Sequence, residues 1–466
     1  MSVMSKIKSN IYMGKDEPRG WDLFSVRPIY RFMTSPFYPA VFLVPSAAIF
    51  GLVVYFGIFG TERPAYNFAT TLTWNIWWPL LPISLILLGR VWCAICPIVP
   101  VISAVQWLTK PKALPGKFLK RYGIWLMGLG FVLLTLADRL WQITGSPVGT
   151  AFFLLLLAVV AAVAAAFYVG RAFCRFICPI GALTGLYSMV AMVGLRSKGK
   201  VECQGCGKEC FKGSSSHAGC PLYQYVNTMD SNRNCNLCAE CLKSCPKGSI
   251  KLSIRMPGKD LWQLRSPILG EALLVIFLVG MVFFQTVDMS KGWGDYMRWL
   301  LQFVPFGSYK LGIAISFAGV LAVIAFAYLA VSKWSAGTQK WSHNFAFFGY
   351  AYIPLALAVH VAHNSGHLMS EGPNALRIAA KTLANPLSVA AAQSPIAESA
   401  SMSLVYLLPL VVLGGVGSAY AAWRISRRSD LQDSRSKLLP HLVLVAVLTA
   451  VFAVAFLLPM APRHAH

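Results

Sequence analysis

Eight of the twelve cysteines of this chain fall in one polar stretch, and their spacing is the strongest chemical signal in the sequence. The second group reads Cys235-Asn-Leu-Cys238-Ala-Glu-Cys241-Leu-Lys-Ser-Cys245-Pro246. Three thiols at intervals of three can wrap one face of a compact inorganic cluster from a single loop. A fourth, turned away by the helix that follows, reaches a neighbouring cluster; this is the C-x2-C-x2-C-x3-C-P run of two-cluster ferredoxins. The first group, Cys203, Cys206 and Cys210 followed by Cys220-Pro221, is a stretched version with an insertion at Phe211 to Gly219. Crossed ligation then gives one [4Fe–4S] site on Cys203, Cys206, Cys210 and Cys245, and another on Cys235, Cys238, Cys241 and Cys220. Disulfides are disfavoured on a cytoplasmic loop, and zinc prefers paired C-x2-C knuckles to such a run. Ser249 to Ile254 reads as a strand of the small α+β unit, and His217 as a solvated loop residue.

The other four cysteines lie in two segments that resemble each other, Gly89-Arg90-Val91-Trp92-Cys93-Ala94-Ile95-Cys96-Pro97 and Gly170-Arg171-Ala172-Phe173-Cys174-Arg175-Phe176-Ile177-Cys178-Pro179. A proline after the second cysteine suits the first turn of a helix, where its missing N–H is not needed. Val99 to Leu108 and Gly181 to Gly194 are the helices expected there, lying in or dipping into a membrane interface. The four thiols can share a metal or a third cluster, act as redox-active thiols, or simply pack as small buried side chains. Arg90 and Arg171 read as ordinary membrane-topology residues, with a cluster or a quinone head group as the alternative contact.

The elements that carry these residues belong to a membrane. The 466 residues are 56% hydrophobic and only 12% charged, too apolar for an ordinary soluble enzyme of this length. About twenty apolar residues are needed for a transmembrane helix, and nine runs reach that length: 38–60, 70–89, 122–138, 149–170, 267–287, 309–332, 344–363, 403–423 and 438–460. Lys and Arg outnumber Asp and Glu by 41 to 17. They cluster before the first, third and ninth runs, which places the amino terminus inside and the carboxyl terminus outside. The excess charge therefore marks topology, and nucleic acid is not an expected partner. No removable signal peptide is expected. The divisions are a cytoplasmic N-terminal segment (1–37), a membrane part with the Cys-Pro repeats (38–195), a cytoplasmic ferredoxin-like insertion (196–265) and a second membrane part (266–466).

Ionisable groups inside a membrane are costly and usually functional, which draws attention to the second half. His343 lies near the inner end of the seventh run, and His360, His363 and His367 follow at helical spacing toward its outer end. His441 lies near the inner end of the ninth, with His464 and His466 beyond its outer end. Two bis-histidine haems of b type, an outer copper or other metal site, and water-bonded head-group histidines all fit this layout. Glu271 is a candidate proton or quinone contact, and Trp74, Trp77 and Trp78 either line a quinone pocket or anchor a span.

Over residues 38–255 the chain resembles the membrane iron–sulfur proteins of the NapH and NosR type, on Cys93/Cys96-Pro97, Cys174/Cys178-Pro179 and the eight ferredoxin cysteines. The resemblance implies electron passage between quinol and extracytoplasmic reductase systems through partner redox subunits in the cytoplasmic membrane, as a quinol dehydrogenase subunit would perform it. Three features depart from it: the C-x2-C spacing of the first membrane pair, the lack of an extracytoplasmic flavin domain, and the further spans that follow the ferredoxin part. The expected fold is an all-α polytopic membrane protein of about nine spans with an inserted α+β two-cluster domain. The competing function is a metal-handling protein that uses cluster electrons to reduce a metal held by the outer histidines.

Overall fold

A computed structural model describes residues 21–199, 203, 205–337, 340–384, 404–428 and 434–459. His464 and His466 lie outside the described residues. The first half contains α1 (Arg27–Thr34), α2 (Ala40–Phe59), α3 (Phe68–Leu88), α4 (Ile98–Thr109), α5 (Lys117–Trp141), α6 (Pro147–Phe167), α7 (Ala172–Phe176) and α8 (Pro179–Tyr187). The insertion follows as β1 (Val193–Ser197), α9 (Glu209–Lys212), α10 (Glu240–Lys243), β2 (Ile250–Ile254) and α11 (Lys259–Gln263). The second half is α12 (Leu269–Val287), α13 (Trp293–Leu301), α14 (Tyr309–Trp334), α15 (Trp341–Gly349), α16 (Ile353–Ala384), α17 (Leu404–Ser426) and α18 (Ser434–Leu457).

Among the described residues ten segments are long and apolar enough to cross a membrane, where hydropathy along the sequence counts nine. The tenth is Val91–Thr109, and its geometry explains the difference. Its α-helical part, α4, has 12 residues, about 18 Å at 1.5 Å per residue and short of the hydrocarbon thickness. Ile98 and Ile102 near its start pack on Ala158 to Ala165 of α6 and on Phe173 and Cys174. Toward its end Gln106 donates to the carbonyls of Tyr168 and Gly170. Helix α4 therefore packs along α6 and the turn that follows it.

The second expected interface helix ends sooner than its sequence reading. Helix α8 starts at Pro179, with the Cys178 thiol accepting from the Gly181 N–H, and passes through a 3-10 turn at Ser188–Val190. The chain then becomes extended, and Val193 of β1 pairs with Ile254 of β2 in an antiparallel register that runs to Ser197 opposite Ile250. The insertion is thus closed by its own two ends. The N-terminal segment seals it further: the Ile254 N–H donates to the Trp21 carbonyl, the Leu252 N–H to Asp22, and the Tyr38 hydroxyl to the Leu237 carbonyl.

The second half packs by close backbone approach. A Cβ on Gly349 would lie 2.4 Å from the Cβ of Ala272, and one on Gly414 2.5 Å from that of Ala358. Small residues at such contacts supply the van der Waals packing that holds helices together in lipid, where no hydrophobic drive exists between them. Helices α12, α15 and α16 form the buried centre.

Two strong electrostatic contacts fix the insertion. Inside it, Asp260 is 1% exposed and receives both Arg196 (2.9 Å) and Arg255, while its carboxylate also accepts from the Asn232 N–H. At its base Arg233 meets Glu271 at the start of α12 at 2.7 Å, and Tyr350 donates to the same carboxylate oxygen. Glu271 is thus the docking partner of the insertion. Burial alone would raise the pKa of Asp260, but Arg196 and Arg255 outweigh it and hold the carboxyl below its usual range. A depressed folded-state pKa gives stability that is complete above the unfolded value, here near 3.8, and is lost as the pH falls through the folded value. Asp260→Asn leaves two buried guanidinium groups uncompensated and is expected to cost about 3–5 kcal/mol. Thermal unfolding of the insertion should show that loss at neutral pH, with a weaker dependence on pH below 4 than in the unaltered protein.

Candidate iron–sulfur site

The eight cysteines of the insertion sort into two cradles. One cavity is lined by Cys203, Cys206, Cys210 and Cys245 with Tyr225 and Pro246. A second is lined by Cys220, Cys235, Cys238 and Cys241. Val226 contributes to both walls. Local backbone produces the wrapping: Leu237 and Ala239 both have positive φ, which curls the loop around Cys238 before α10 begins.

The thiols are placed where a free thiolate is unfavourable. Burial pushes the pKa of Cys238 up to about 11, against the opposing pull of Arg171. It raises Cys241 further, and there Cys238, Cys235 and Cys220 push in the same direction. Cys210 is raised by burial and by Cys245, Cys206 and Cys203, the members of its own cradle. Buried thiols that resist ionisation, as Cys210, Cys238 and Cys241 do, fit a group that brings its own positive iron to the thiolates. Among the described residues no three His, Cys, Asp or Glu side chains converge tightly enough for a single metal ion. A cubane does not require that convergence, because its ligands sit at four separate corners.

The Cys-Pro repeats lie directly beneath the second cradle. Gly89 and Gly170 both have positive φ (58° and 70°), and each turns the chain from a span into its Arg-containing segment. The two arginines then cross over. Arg90 Nη2 donates to the Cys174 carbonyl at 2.9 Å, and Arg171 Nη1 donates to the Cys93 carbonyl at 3.2 Å. Arg90 also donates through Nε to Cys93 Sγ (3.2 Å) and through Nη1 to the Arg233 carbonyl (2.9 Å). Asn236 Nδ2 reaches the Cys93 carbonyl at 3.4 Å, and Cys220 packs in one apolar cluster with Cys96, Cys174 and Cys178. The reading of Arg90 as a topology residue is corrected here: it is 1% exposed and bonded into the cysteine site. The sequence signal was its place in both repeats, immediately after the glycine.

The histidines occupy several environments. His343 is exposed beside Phe347. His441 is fully buried, stacked on Phe348, with Ser335 and Tyr352 at its two ring nitrogens. His360 is buried against Trp78 and shares a hydrogen bond with Tyr187 at the end of α8. His363 meets Thr286, and His367 meets Glu371 at 3.2 Å. Trp74 donates to Thr150 and stacks on Phe153, a packing role. His217 closes a turn with Ser214 in the insertion loop.

Fold and site together define a polytopic membrane iron–sulfur protein. The sequence model of a family described as "4Fe-4S binding domain" matches residues 70–115 and 150–198, the segments that carry the two Cys-Pro repeats. The chain is 28% identical over 129 residues to the "Putative electron transport protein YccM" of Escherichia coli, covering 28% of this chain and 34% of that protein. It is 31% identical over 88 residues to the "Uncharacterized protein MJ0750" of Methanocaldococcus jannaschii, covering 19% of this chain and 33% of that one. The chain thus spans about a third of the length of these curated relatives. No solved structure matches it.

Paired substitutions test the cradles. Cys220→Ala with Cys235→Ala, both in one cradle, should remove about four irons per chain, whereas Cys220→Ala with Cys203→Ala should remove about eight. Equal losses from the two pairs would refute crossed ligation. A pyridine haemochrome spectrum tests the histidines: a b-type band lost in His441→Ala or His360→Ala would assign haem to that histidine, and no band in the unaltered protein would reject the haem reading.

Proposed function

We propose that the protein is a membrane-bound electron relay, carrying one-electron traffic between the quinone pool or a cytoplasmic donor and an extracytoplasmic acceptor. The observation that carries this reading is the end-to-end placement of the thiol sites. The cradle of Cys203, Cys206, Cys210 and Cys245 shares the Val226 wall with the cradle of Cys220, Cys235, Cys238 and Cys241. The second cradle rests on the membrane-edge cysteines through Cys220, Asn236 and Arg90. When bound, [4Fe–4S] clusters in the two cradles supply one-electron chemistry; the chain supplies ligation, spacing and electrostatics.

The residues around the cradles serve that traffic. Tyr225, beside Cys206, lines one cavity, and the loop at Leu237 to Ala239 lines the other. The Arg233–Glu271–Tyr350 contact keeps the insertion seated on α12, so the distance between cradle and membrane stays fixed. From the Cys-Pro repeats α8 leads to Tyr187 and so to His360 on α16, which joins the iron–sulfur half of the molecule to the half that bears the histidines. The insertion and the N-terminal segment face the cytoplasm in this reading, because the Lys- and Arg-rich loops lie on their side. The name of the E. coli relative, an electron transport protein, points the same way.

Two measurements test the proposal. In anaerobically purified protein in lipid nanodiscs a quinol analogue should reduce the cluster signals seen by electron paramagnetic resonance, and no reduction by quinol or by a soluble low-potential donor would reject the relay. Reporter fusions in the exposed loop at Ser215 should be active only inside, and fusions after Pro459 only outside; the opposite pattern would invert the membrane map.

A further inference from the structure

The two cradles differ in what surrounds them. The cradle of Cys220, Cys235, Cys238 and Cys241 has no charged side chain in its wall. It packs against the N-terminal segment, with Met33 and Tyr38 in one apolar cluster with Leu237, Ala239 and Cys241, and against the first repeat, where Asn236 donates to the Cys93 carbonyl. The cradle of Cys203, Cys206, Cys210 and Cys245, across the shared Val226 wall, carries lysines instead. Lys247 lines its cavity and is exposed. The exposed Lys208 ammonium lies 5.8 Å from the centre of the Tyr225 ring, whose hydroxyl is 3.9 Å from Cys206 Sγ. Lys198, also exposed, is held at the rim by its backbone N–H, which donates to the carbonyl of the wall residue Ser249. Lys212 stands exposed at the end of α9, just past Cys210. Glu209 is the one carboxylate in this wall among the described residues, and its Oε2 is buried.

Membrane topology does not account for these charges. Lys and Arg orient a span when they lie within about 15–20 residues of its end, and Lys208 and Lys212 come about forty residues after α6 ends at Phe167. The rim is also open to close approach. Gly205, in the first cysteine loop, and Gly248, after Cys245-Pro246, both have positive φ, and a Cβ at either would meet nothing within 4 Å among the described residues. Phe211, beside Cys210, and Pro246, beside Cys245, are exposed. The result is a small apolar centre ringed by cations. An opposing negative surface relieves the mutual repulsion of those cations and is steered toward them from solution.

We propose that this face of the insertion is the docking surface for a small soluble one-electron carrier of strongly negative surface, received by Lys198, Lys208, Lys212 and Lys247 at the cradle of Cys203, Cys206, Cys210 and Cys245. The proposal deepens the relay reading and rests on it: of the two donors named there, the cytoplasmic one meets this face. The carrier is oxidised by one electron and the chain reduced by one, with no bond made or broken and no proton moved. The contact is small and transient, as encounters between redox proteins are.

The test reads binding apart from electron transfer. The full chain, loaded with iron and held in nanodiscs of neutral lipid, is titrated into a fluorescently labelled bacterial flavodoxin of strongly negative net charge. Flavodoxin should bind at low ionic strength, with an affinity that falls about tenfold or more between about 0.05 M and about 0.5 M salt. Lys208→Glu with Lys247→Glu should weaken binding about tenfold or more at unchanged iron content, and the milder pair Lys208→Gln with Lys247→Gln should weaken it less. Lys112→Glu with Lys117→Glu, an exposed pair ahead of α5 and at its start, should leave the affinity within about twofold. A basic c-type cytochrome should not bind. Absence of flavodoxin binding, equal losses from the two charge-reversed pairs, or a cytochrome bound as tightly as flavodoxin would overturn the docking surface. So would loss of binding in nanodiscs of anionic lipid, which would assign the lysines to head groups. A chain that ignores flavodoxin while quinol reduces its iron signals leaves the relay standing without this surface. A chain that binds flavodoxin while no donor reduces its signals sinks the relay and keeps the surface.

Discussion

A guanidinium buried at the junction of two halves is the constraint around which this structure is arranged. Arg90 joins the first Cys-Pro repeat to the second through the Cys174 carbonyl and to the insertion through the Arg233 carbonyl. Its neighbours are chosen to accommodate it. Gly181 is a glycine because a Cβ there would lie 2.8 Å from Arg90 Nη2, and Gly185 leaves room beside the Arg233 carbonyl that Arg90 holds. Arg171 makes the reciprocal contact to the Cys93 carbonyl. Two similar sequence segments thus become a pair that binds each other's backbone, and the insertion is seated on the pair.

This arrangement changes how the charge of the chain is understood. Within residues 196–265 there are 12 Lys and Arg against 5 Asp and Glu. Part of that excess is spent inside the fold: Arg196 and Arg255 on Asp260, Arg233 on Glu271, Lys243 on Glu240 and the Tyr38 carbonyl. Beside the repeats Arg90 and Arg171 answer thiols in place of carboxylates. Basic residues beside the repeats therefore differ by burial: Arg90 is enclosed and bonded to the Cys93 thiol and to distant carbonyls, where others of the chain lie exposed.

That overlap also decides what could be read from the sequence. The two groups of cysteines in the insertion were legible because their members follow one another at short intervals, so the order of residues already brings them onto neighbouring turns of backbone. The polytopic fold was legible for the same reason, since a span is a local property of about twenty residues. The role of Arg90 was not, because it depends on Cys174 and Arg233, far away in the chain, and an arginine after a span is common. The short reach of α4 was legible in its length, but its packing against the end of α6 needed the contacts of Gln106 with Tyr168 and Gly170. The histidines gave the least: helical spacing aligned His360, His363 and His367, yet their partners Tyr187, Thr286 and Glu371 come from three different helices.

The seal between the N-terminal segment and the insertion has a consequence for how the protein is made. Trp21, Asp22 and Tyr38 are synthesised before the first span, but their partners Ile254, Leu252 and Leu237 emerge only after four further membrane segments have been delivered. Until then the early segment must wait at the membrane surface without its binding face, and the cysteine loops must emerge before the strand that closes them. The interval between Cys203 leaving the ribosome and β2 pairing with β1 is a period of open access to the thiols.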